Sequence, residues 1–378
     1  MRTVLLLAPF VLLGCLPRAV TLNQTYTLSL ERPNPYSTTV GDFNGDGKPD
    51  LLTETVDARG EITVMLNIGN GQFAQGVSTS ISRDARVPVI ADFNGDGKAD
   101  LLVIDNTSAT NIVVPQTMAL MIGNGDGTFR QPTVIPIGSA ARGARGLDVN
   151  GDGKLDVVLL AGRYAPMLHG TGRLLVMLGH GDGTFDAPRS QELGVDPLRF
   201  TDGDFNGDGK IDLAVVDEFR RRCIILSGRG DGWFDETSKF GVPFEPIDVR
   251  SADLNGDKRA DLVFGVNNGV TIFLNQGDGH FVHSSDLNLD VGFTYVIDDF
   301  DHDGFLDIAT ARRYFHSNGS GTYRAYEIEH RDYDETFLVS ADLNGDGWPD
   351  LIETDRYHQE VRIALNRGAG TAPPAAVQ

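Results

Sequence analysis

Short apolar runs separated by turn residues recur along the whole chain. Runs such as "DLLTETV" from Asp50, "DLLVID" from Asp100 and "DLAVVD" from Asp212 are rich in Leu and Val, and they are shorter than typical helices. Gly, Pro, Asn and Asp bound these runs, as is typical of β-strands. The pattern therefore predicts an all-β protein.

A Gly-rich turn follows most of these runs at a similar distance. Examples are "GNGDGTF" ending at Phe129, "GHGDGTF" ending at Phe185 and "GRGDGWF" ending at Phe234. An apolar strand that enters a Gly-rich turn, with an aromatic residue opening the next strand, indicates a β-hairpin. The unit recurs about every 50 residues and supplies four antiparallel strands, which predicts one blade of a β-propeller.

The number of repeats and the two ends of the chain predict how the ring closes. The seventh repeat lacks a clear last strand, whereas the strand-like segment Thr25 to Leu30 precedes the first repeat. We predict a seven-bladed β-propeller of four-stranded antiparallel blades over residues 21–369. The N-terminal strand would complete the seventh blade and so remove two exposed sheet edges.

The turn before each apolar run carries acids at every second position. It has the form D-x-[N/D]-x-D-x-x-x-D and occurs seven times in register. Calcium takes six to eight oxygen ligands from carboxylates, amides and carbonyls, and Gly at the fourth and sixth positions permits the positive φ that curls a loop around an ion. We therefore predict up to seven Ca²⁺ sites. Their side-chain ligands would be Asp42, Asn44, Asp46, Asp50; Asp92, Asn94, Asp96, Asp100; Asp148, Asn150, Asp152, Asp156; Asp204, Asn206, Asp208, Asp212; Asp253, Asn255, Asp257, Asp261; Asp299, Asp301, Asp303, Asp307; and Asp342, Asn344, Asp346, Asp350.

The EF-hand is the main alternative for these loops. An EF-hand loop needs a bidentate Glu at position 12, and only the last copy has one, Glu353. The segments that follow the loops also have the pattern of strands, not of exiting helices. The sequence therefore favours calcium loops within blades.

The combination of "DFNGDGKxD" and "GDGxF" resembles the FG-GAP/VCBS repeat family, whose propellers include the head of integrin α subunits. The resemblance extends over essentially the whole chain beyond residue 20. It implies a calcium-stabilised propeller, often extracellular, with each calcium loop between the first and second strands of a blade. It does not fix a ligand, because propellers serve many functions.

Two loops depart from the family pattern. In the fifth loop Lys258 replaces a turn Gly, so we expect this site to bind calcium most weakly. In the sixth loop His302 replaces the other Gly, while Asp301 adds a fourth carboxylate. We expect the sixth loop to bind calcium more tightly, unless His302 strains the turn.

Charge and cysteine content narrow the function classes. The formal net charge is −21, which disfavours a nucleic-acid partner. Much of this charge lies in the predicted calcium loops. The chain has only two Cys, which exclude a disulfide framework, and Cys223 is predicted to be buried in a strand.

The first 20 residues have the pattern of a secretion signal. Arg2 precedes an apolar stretch too short to span a bilayer. "LLGC" resembles a bacterial lipobox, which predicts lipidation of Cys15; cleavage before Val20 is the alternative, with Pro17 poorly placed for it. We expect a secreted or cell-envelope protein, with contact to a membrane only through this lipid.

Residues 370–378 are predicted to be a disordered tail.

The hairpins at the end of the blades opposite the calcium loops contain Arg beside aromatic residues. Guanidinium groups and aromatic rings suit carboxylated or sulfated sugars. We therefore predict an extracellular glycan or protein ligand at this end. The alternative is that these side chains are solvated and pair with Asp57, Asp217 and Asp355. The predicted ligand-binding residues are Arg163, Tyr164, Arg220, Arg221, Arg356, Tyr357 and His358.

Catalysis has weaker support than binding. The sequence has no HExxH, GxSxG or P-loop motif. A polysaccharide lyase or hydrolase with its site on the same end of the ring remains an alternative, as does a platform for a protein partner.

The tripeptide Arg229-Gly230-Asp231 lies in a repeat turn, so we interpret it as a coincidence and not as an adhesion motif.

Overall fold

A computed structural model describes residues 22–28, 35–55, 60–81, 85–105, 117–162, 172–217, 219–267, 269–288, 294–310, 313–327 and 336–368. The predicted signal segment, with Cys15, and the predicted tail lie outside these residues. No helix in the described part of the chain is long and apolar enough to cross a membrane.

The regular elements of the described residues are β-strands. In chain order they are β1 (Leu22–Leu28), β2 (Pro35–Gly41), β3 (Asp50–Thr55), β4 (Glu61–Met65), β5 (Asn67–Gly69), β6 (Gln72–Phe73), β7 (Val77–Ser80), β8 (Ala85–Ala91), β9 (Asp100–Asp105), β10 (Thr117–Met121), β11 (Thr133–Pro136), β12 (Ala141–Leu147), β13 (Asp156–Ala161), β14 (Arg173–Met177) and β15 (Arg189–Glu192). They continue with β16 (Pro197–Gly203), β17 (Asp212–Asp217), β18 (Arg222–Gly228), β19 (Phe234–Gly241), β20 (Pro246–Ala252), β21 (Asp261–Val266), β22 (Gly269–Asn275), β23 (Phe281–Asn288), β24 (Val296–Asp298), β25 (Asp307–Ala309), β26 (Arg313–Ser317), β27 (Tyr323–Glu327), β28 (Thr336–Ala341), β29 (Asp350–Asp355) and β30 (Glu360–Asn366).

The strands form seven four-stranded antiparallel sheets, as predicted. Blades 1 to 6 begin with β2, β8, β12, β16, β20 and β24, and each is built from strands that follow one another in the chain. The short strands β5 and β6 form a separate pair between the third and fourth strands of blade 1. The fold is therefore a seven-bladed propeller.

The seventh blade closes the ring with the N-terminal strand. Its order is β1-β30-β29-β28, and β1 pairs antiparallel with β30 so that Leu28 lies opposite Val361. This confirms the predicted closure. Strand β30 is thereby paired on both sides, and β1 takes the place of the fourth strand of the other blades.

Seven apolar clusters hold the ring together, one between each pair of neighbouring blades. Strand β13 shows why its run is continuously apolar. Val158 and Leu160 face blade 4, whereas Val157 and Leu159 face blade 2. Because side chains alternate across a strand, a blade packed on both faces needs apolar residues at every position.

Cys223 lies in the cluster between blades 4 and 5 and is fully buried, as expected. Burial raises the pKa of its thiol well above the usual range. Its position between packed apolar neighbours is that of a small core residue.

Candidate functional site

The seven acidic loops all lie at one end of the ring. Each joins the first strand of its blade to the second, as Asp42 to Asp50 join β2 to β3. The first carboxylate of the loop organises the backbone: Asp42 Oδ1 accepts the N–H of Gly45 at 2.7 Å, and Oδ2 accepts that of Gly47 at 2.8 Å. The same bonds recur in the other loops with few changes, so the loops share one conformation.

The glycines of these loops adopt the positive φ predicted for them. Gly45 and Gly47 have φ of 74° and 80°. Lys258 and His302 occupy the same left-handed region, with φ of 69° and 55°. The Lys258 N–H still donates to Asp253 Oδ2 at 2.8 Å, so the fifth loop keeps its shape with a residue that disfavours it.

The last aspartate of each loop has a structural role that sequence analysis missed. Asp212 is fully buried; its Oδ2 accepts the N–H of Phe205 at 3.0 Å, and its Oδ1 accepts that of Gly228 at 2.9 Å. This carboxylate thus ties the loop to the end of the third strand. The equivalent residues are equally buried and make equivalent bonds: Asp50, Asp100, Asp156, Asp261, Asp307 and Asp350.

Burial and the other acids of the same loop raise the pKa of the buried aspartates. Burial, with a contribution from Asp257 and Asp253, raises the pKa of Asp261 to about 6. Burial likewise raises the pKa of Asp350 to about 7. A cation placed among such carboxylates would favour their charged forms.

The donor chemistry of the loops fits a hard divalent cation. Six of the seven loops present three carboxylates and one Asn amide oxygen on a tight turn, with no nitrogen or sulfur donor. Oxygen-only sets of this kind suit Ca²⁺. In the sixth loop, oxygens of Asp299, Asp301 and Asp307 lie within 4.8 Å of one another.

The Gly-rich turns lie at the same end and link neighbouring blades. Gly127 of blade 2 donates its N–H to the Phe43 carbonyl of blade 1 at 3.4 Å, and Gly183 of blade 3 donates to Phe93 of blade 2 at 3.1 Å. The turn that contains Arg229 belongs to this series, and the Arg229 Nε donates to Asp235 Oδ2 at 2.7 Å. Loops and turns therefore form one connected belt.

The predicted ligand-binding residues lie at the opposite end wherever the structure describes them. Arg220 and Arg221 lie between β17 and β18, and Arg356, Tyr357 and His358 lie between β29 and β30. Arg163 and Tyr164 lie outside the described residues.

Some of these side chains make local pairs, and others extend outward. Arg220 Nη1 lies 3.5 Å from Asp217 Oδ2, and His358 Nδ1 lies 2.9 Å from Asp355 Oδ2. These are the local pairs that the solvated alternative predicts. Arg356 stacks over the Tyr36 ring of blade 1 at 4.4 Å from the centroid. Tyr357 is 79% exposed.

Arg221 lines a cleft of about 450 Å³ between blades 4 and 5. Phe244, Glu245, Asn267 and Asp286 also line this cleft. Phe244 is 48% exposed, although it is a large aromatic residue. Phe244 was not predicted as a binding residue, because it lies in the connection between two blades. An aromatic residue in the turn "VPFEP" was the only hint of its exposure in this segment of the sequence.

A second cavity, of about 500 Å³, lies in the central channel. The first strands of blades 2 to 5 line it, including Arg142, Arg145, Arg199, Asp202 and Asp248. Arg145 and Asp202 are paired at 3.1 Å. These arginines were not predicted either, although charged residues within a first strand, as in "ARGARGL" from Ala141, were visible in the sequence.

The described residues thus define a propeller with an oxygen-rich loop belt at one end. The FG-GAP-like repeat matches residues 42–103, 105–159, 204–264 and 253–310. The chain belongs to this repeat family, as its motifs predicted. A search of curated proteins gives no match.

Solved structures with the same fold have diverse functions. A lectin of Agrocybe aegerita that recognises non-reducing terminal N-acetylglucosamine is 20% identical, with a TM-score of 0.54 over 78% of this chain and 80% of the lectin chain. BBS1N, solved in complex with ARL6DN, is 12% identical, with a TM-score of 0.60 over 94% and 99% of the two chains. A rhamnogalacturonan lyase of Bacillus licheniformis is 13% identical, with a TM-score of 0.59 over 92% and 76%. At these identities the likeness establishes the fold alone.

Proposed function

We propose that this protein is an exported, calcium-binding recognition module that binds an anionic glycan at the end of the ring opposite the acidic loops. The observation that carries the proposal is the cleft that Arg221 and the exposed Phe244 both line, together with the acids Glu245 and Asp286. A guanidinium forms bidentate, charge-assisted bonds with carboxylate or sulfate, and an aromatic ring offers an apolar face to a sugar. Asn267 adds an amide that can accept and donate hydrogen bonds to hydroxyl groups.

Calcium has a supporting role in this proposal. The acidic loops that offer only oxygen donors would each hold one Ca²⁺ with the carboxylate and amide oxygens named above, and so stiffen the belt that links the blades. The apolar N-terminal segment supports export, with Cys15 as the proposed lipid anchor. Extracellular modules typically bind calcium with dissociation constants of about 10⁻⁴–10⁻³ M.

The similar structures are compatible with a glycan ligand, since they include a lectin and a polysaccharide lyase. A second candidate function is therefore a polysaccharide lyase or hydrolase. The pairing of His358 with Asp355, next to the exposed Tyr357, favours it, because an oriented imidazole beside a phenol can take part in proton transfer. Incubation with acidic polysaccharides and measurement of new unsaturated or reducing ends separates the two functions.

The test begins with an array of neutral, carboxylated and sulfated glycans. We expect acidic glycans to bind, and added salt to weaken binding without unfolding the protein. For a positive glycan, Arg221→Ala and Phe244→Ala should each lower affinity about tenfold or more. The matched control is Arg229→Ala, which removes an exposed arginine at the loop end and should leave affinity unchanged.

A wider variant tests the whole surface. Replacing Arg163, Arg220 and Arg356 together should abolish binding and leave the calcium-dependent melting temperature intact. If the Arg221, Phe244 and triple variants all bind as the wild type does, this end of the ring is solvated and the proposal is wrong.

A further inference from the structure

The acidic loop of blade 6 has a neighbour that the other six loops lack. The third strand of this blade, β26, places His316 beside the loop: its Nδ1 lies 3.2 Å from Asp301 Oδ2 and 3.5 Å from Asp307 Oδ1. Its Nε2 lies 3.8 Å from Asp303 Oδ2. An imidazole nitrogen therefore joins the carboxylate oxygens.

The register of the blades shows that this histidine is specific to blade 6. It directly precedes Ser317, whose N–H donates to the buried Asp307 Oδ1 at 2.8 Å. In the other blades the residue before the equivalent donor has no strong metal ligand. These residues are Leu66, Ile122, Leu178, Ser227, Leu274 and Leu365.

Two further replacements in blade 6 accompany the histidine. Position 3 of the loop is Asp301 where the other loops have Asn, and this carboxylate is only 3% exposed. Tyr314 replaces an aliphatic residue of the third strand and donates its hydroxyl to Asp307 Oδ2 at 2.7 Å. Hydrogen bonds of this kind orient carboxylates around a metal.

The spacing of these groups suits one small ion. Single ligand atoms of Asp301, Asp303 and His316 all lie within 4.8 Å of one another. Ligands held at about 2.0–2.2 Å around a tetrahedral Zn²⁺ lie about 3.3–3.6 Å apart. The His316 side chain is 15% exposed, so the imidazole reaches the carboxylates from a largely buried position.

We propose that blade 6 holds a divalent transition-metal ion of the zinc class, with Asp301, Asp303 and His316 as ligands. Imidazole favours Zn²⁺ and its neighbours, whereas all-oxygen sets favour Ca²⁺. The ring would then carry two chemically different kinds of metal site. This inference does not depend on calcium binding by the other loops.

Metal binding itself tests the proposal. The full chain, stripped with a chelator and returned to millimolar Ca²⁺, is titrated with Zn²⁺ by calorimetry and with Co²⁺ by visible absorption. We expect the wild type to bind one more ion than His316→Leu, which introduces the residue that four of the other blades carry. We expect Asp301→Asn to lower the affinity for this ion by more than about tenfold. His316→Gln, which keeps a polar side chain, gives the same comparison if the Leu variant does not fold.

A matched control lies in blade 3, where Asn150→Asp adds the fourth carboxylate without a histidine. This variant should gain no Zn²⁺ or Co²⁺ site. Equal numbers of ions and equal affinities in the wild type and both His316 variants would overturn the proposal, as would a new Zn²⁺ site in Asn150→Asp. If calcium leaves the melting temperature unchanged while the His316-dependent ion is found, the calcium proposal is wrong and this one stands.

Discussion

At the end of the ring that carries the acidic loops, each blade repeats the same set of hydrogen bonds, whereas at the opposite end the described hairpins differ from one another. The loop end reuses one residue type at each position because a backbone N–H, a buried carboxylate or a positive φ requires it, as at Asp204, Asp212 and Gly209. The opposite end places Arg221 and Tyr357 on the hairpins between the second and third strands of blades 4 and 7, and Phe244 on the connection between blades 4 and 5. A repeated end thus maintains the ring, and a variable end is available for recognition.

Removal of calcium should have the largest effect and should act through the loop end alone. A site that binds only the folded chain stabilises it by about 1.4 kcal/mol at a calcium concentration ten times the dissociation constant. Up to seven such sites predict a melting temperature that rises through the millimolar range and falls in chelator. Calorimetry with Mg²⁺ as the control cation checks this; an unchanged melt in excess chelator contradicts calcium binding by the loops.

Asp212→Ala should have the next largest effect. It leaves the N–H groups of Phe205 and Gly228 buried without acceptors, which costs about 3 kcal/mol or more. The matched variant is Asp204→Ala in the same loop, where water can replace the lost bonds because Asp204 is exposed. Urea unfolding in chelator, which removes any metal contribution, compares the two. Equal losses would mean that the buried hydrogen bonds of Asp212 contribute no more to stability than the exposed hydrogen bonds of Asp204.

Lys258→Gly should stabilise the protein, by about 0.5–1 kcal/mol, because Gly tolerates the left-handed backbone at this position. His302→Gly provides the comparison. The His302 ring stacks on Trp348 of blade 7, with centroids 4.0 Å apart and planes at 8°, and this contact offsets the relief of strain. Urea midpoints should therefore rise for Lys258→Gly and not for His302→Gly. A larger gain for His302→Gly would show that the stack contributes little.

The sequence predicted the features that recur from blade to blade. It did not predict contacts between residues that only strand pairing brings together. Seven blades, closure by the N-terminal strand, and loops between first and second strands all follow from local patterns that recur. The positive φ of Lys258 and His302 follows from alignment with Gly in the other loops.

The missed features join residues that are distant in the chain. Asp212 meets the N–H of Gly228 only after β17 pairs with β18. Arg221 and Phe244 line one cleft only because two connections emerge beside each other. His316 reaches Asp301 through strand pairing that no spacing in the sequence indicates.

The pairing of β1 with β30 also sets the order in which the ring can form. Thr25 lies opposite Ala364, so the first described strand pairs with the last one, and this contact spans nearly all of the described residues. Blades 1 to 6 can assemble as their own strands appear, because each uses neighbouring segments. Blade 7 must wait for its last strand, and long-range contacts of this kind form slowly. We therefore expect an open arc, whose first and last blades expose apolar faces, to form during synthesis or refolding, and we expect this state to be the one most prone to aggregation.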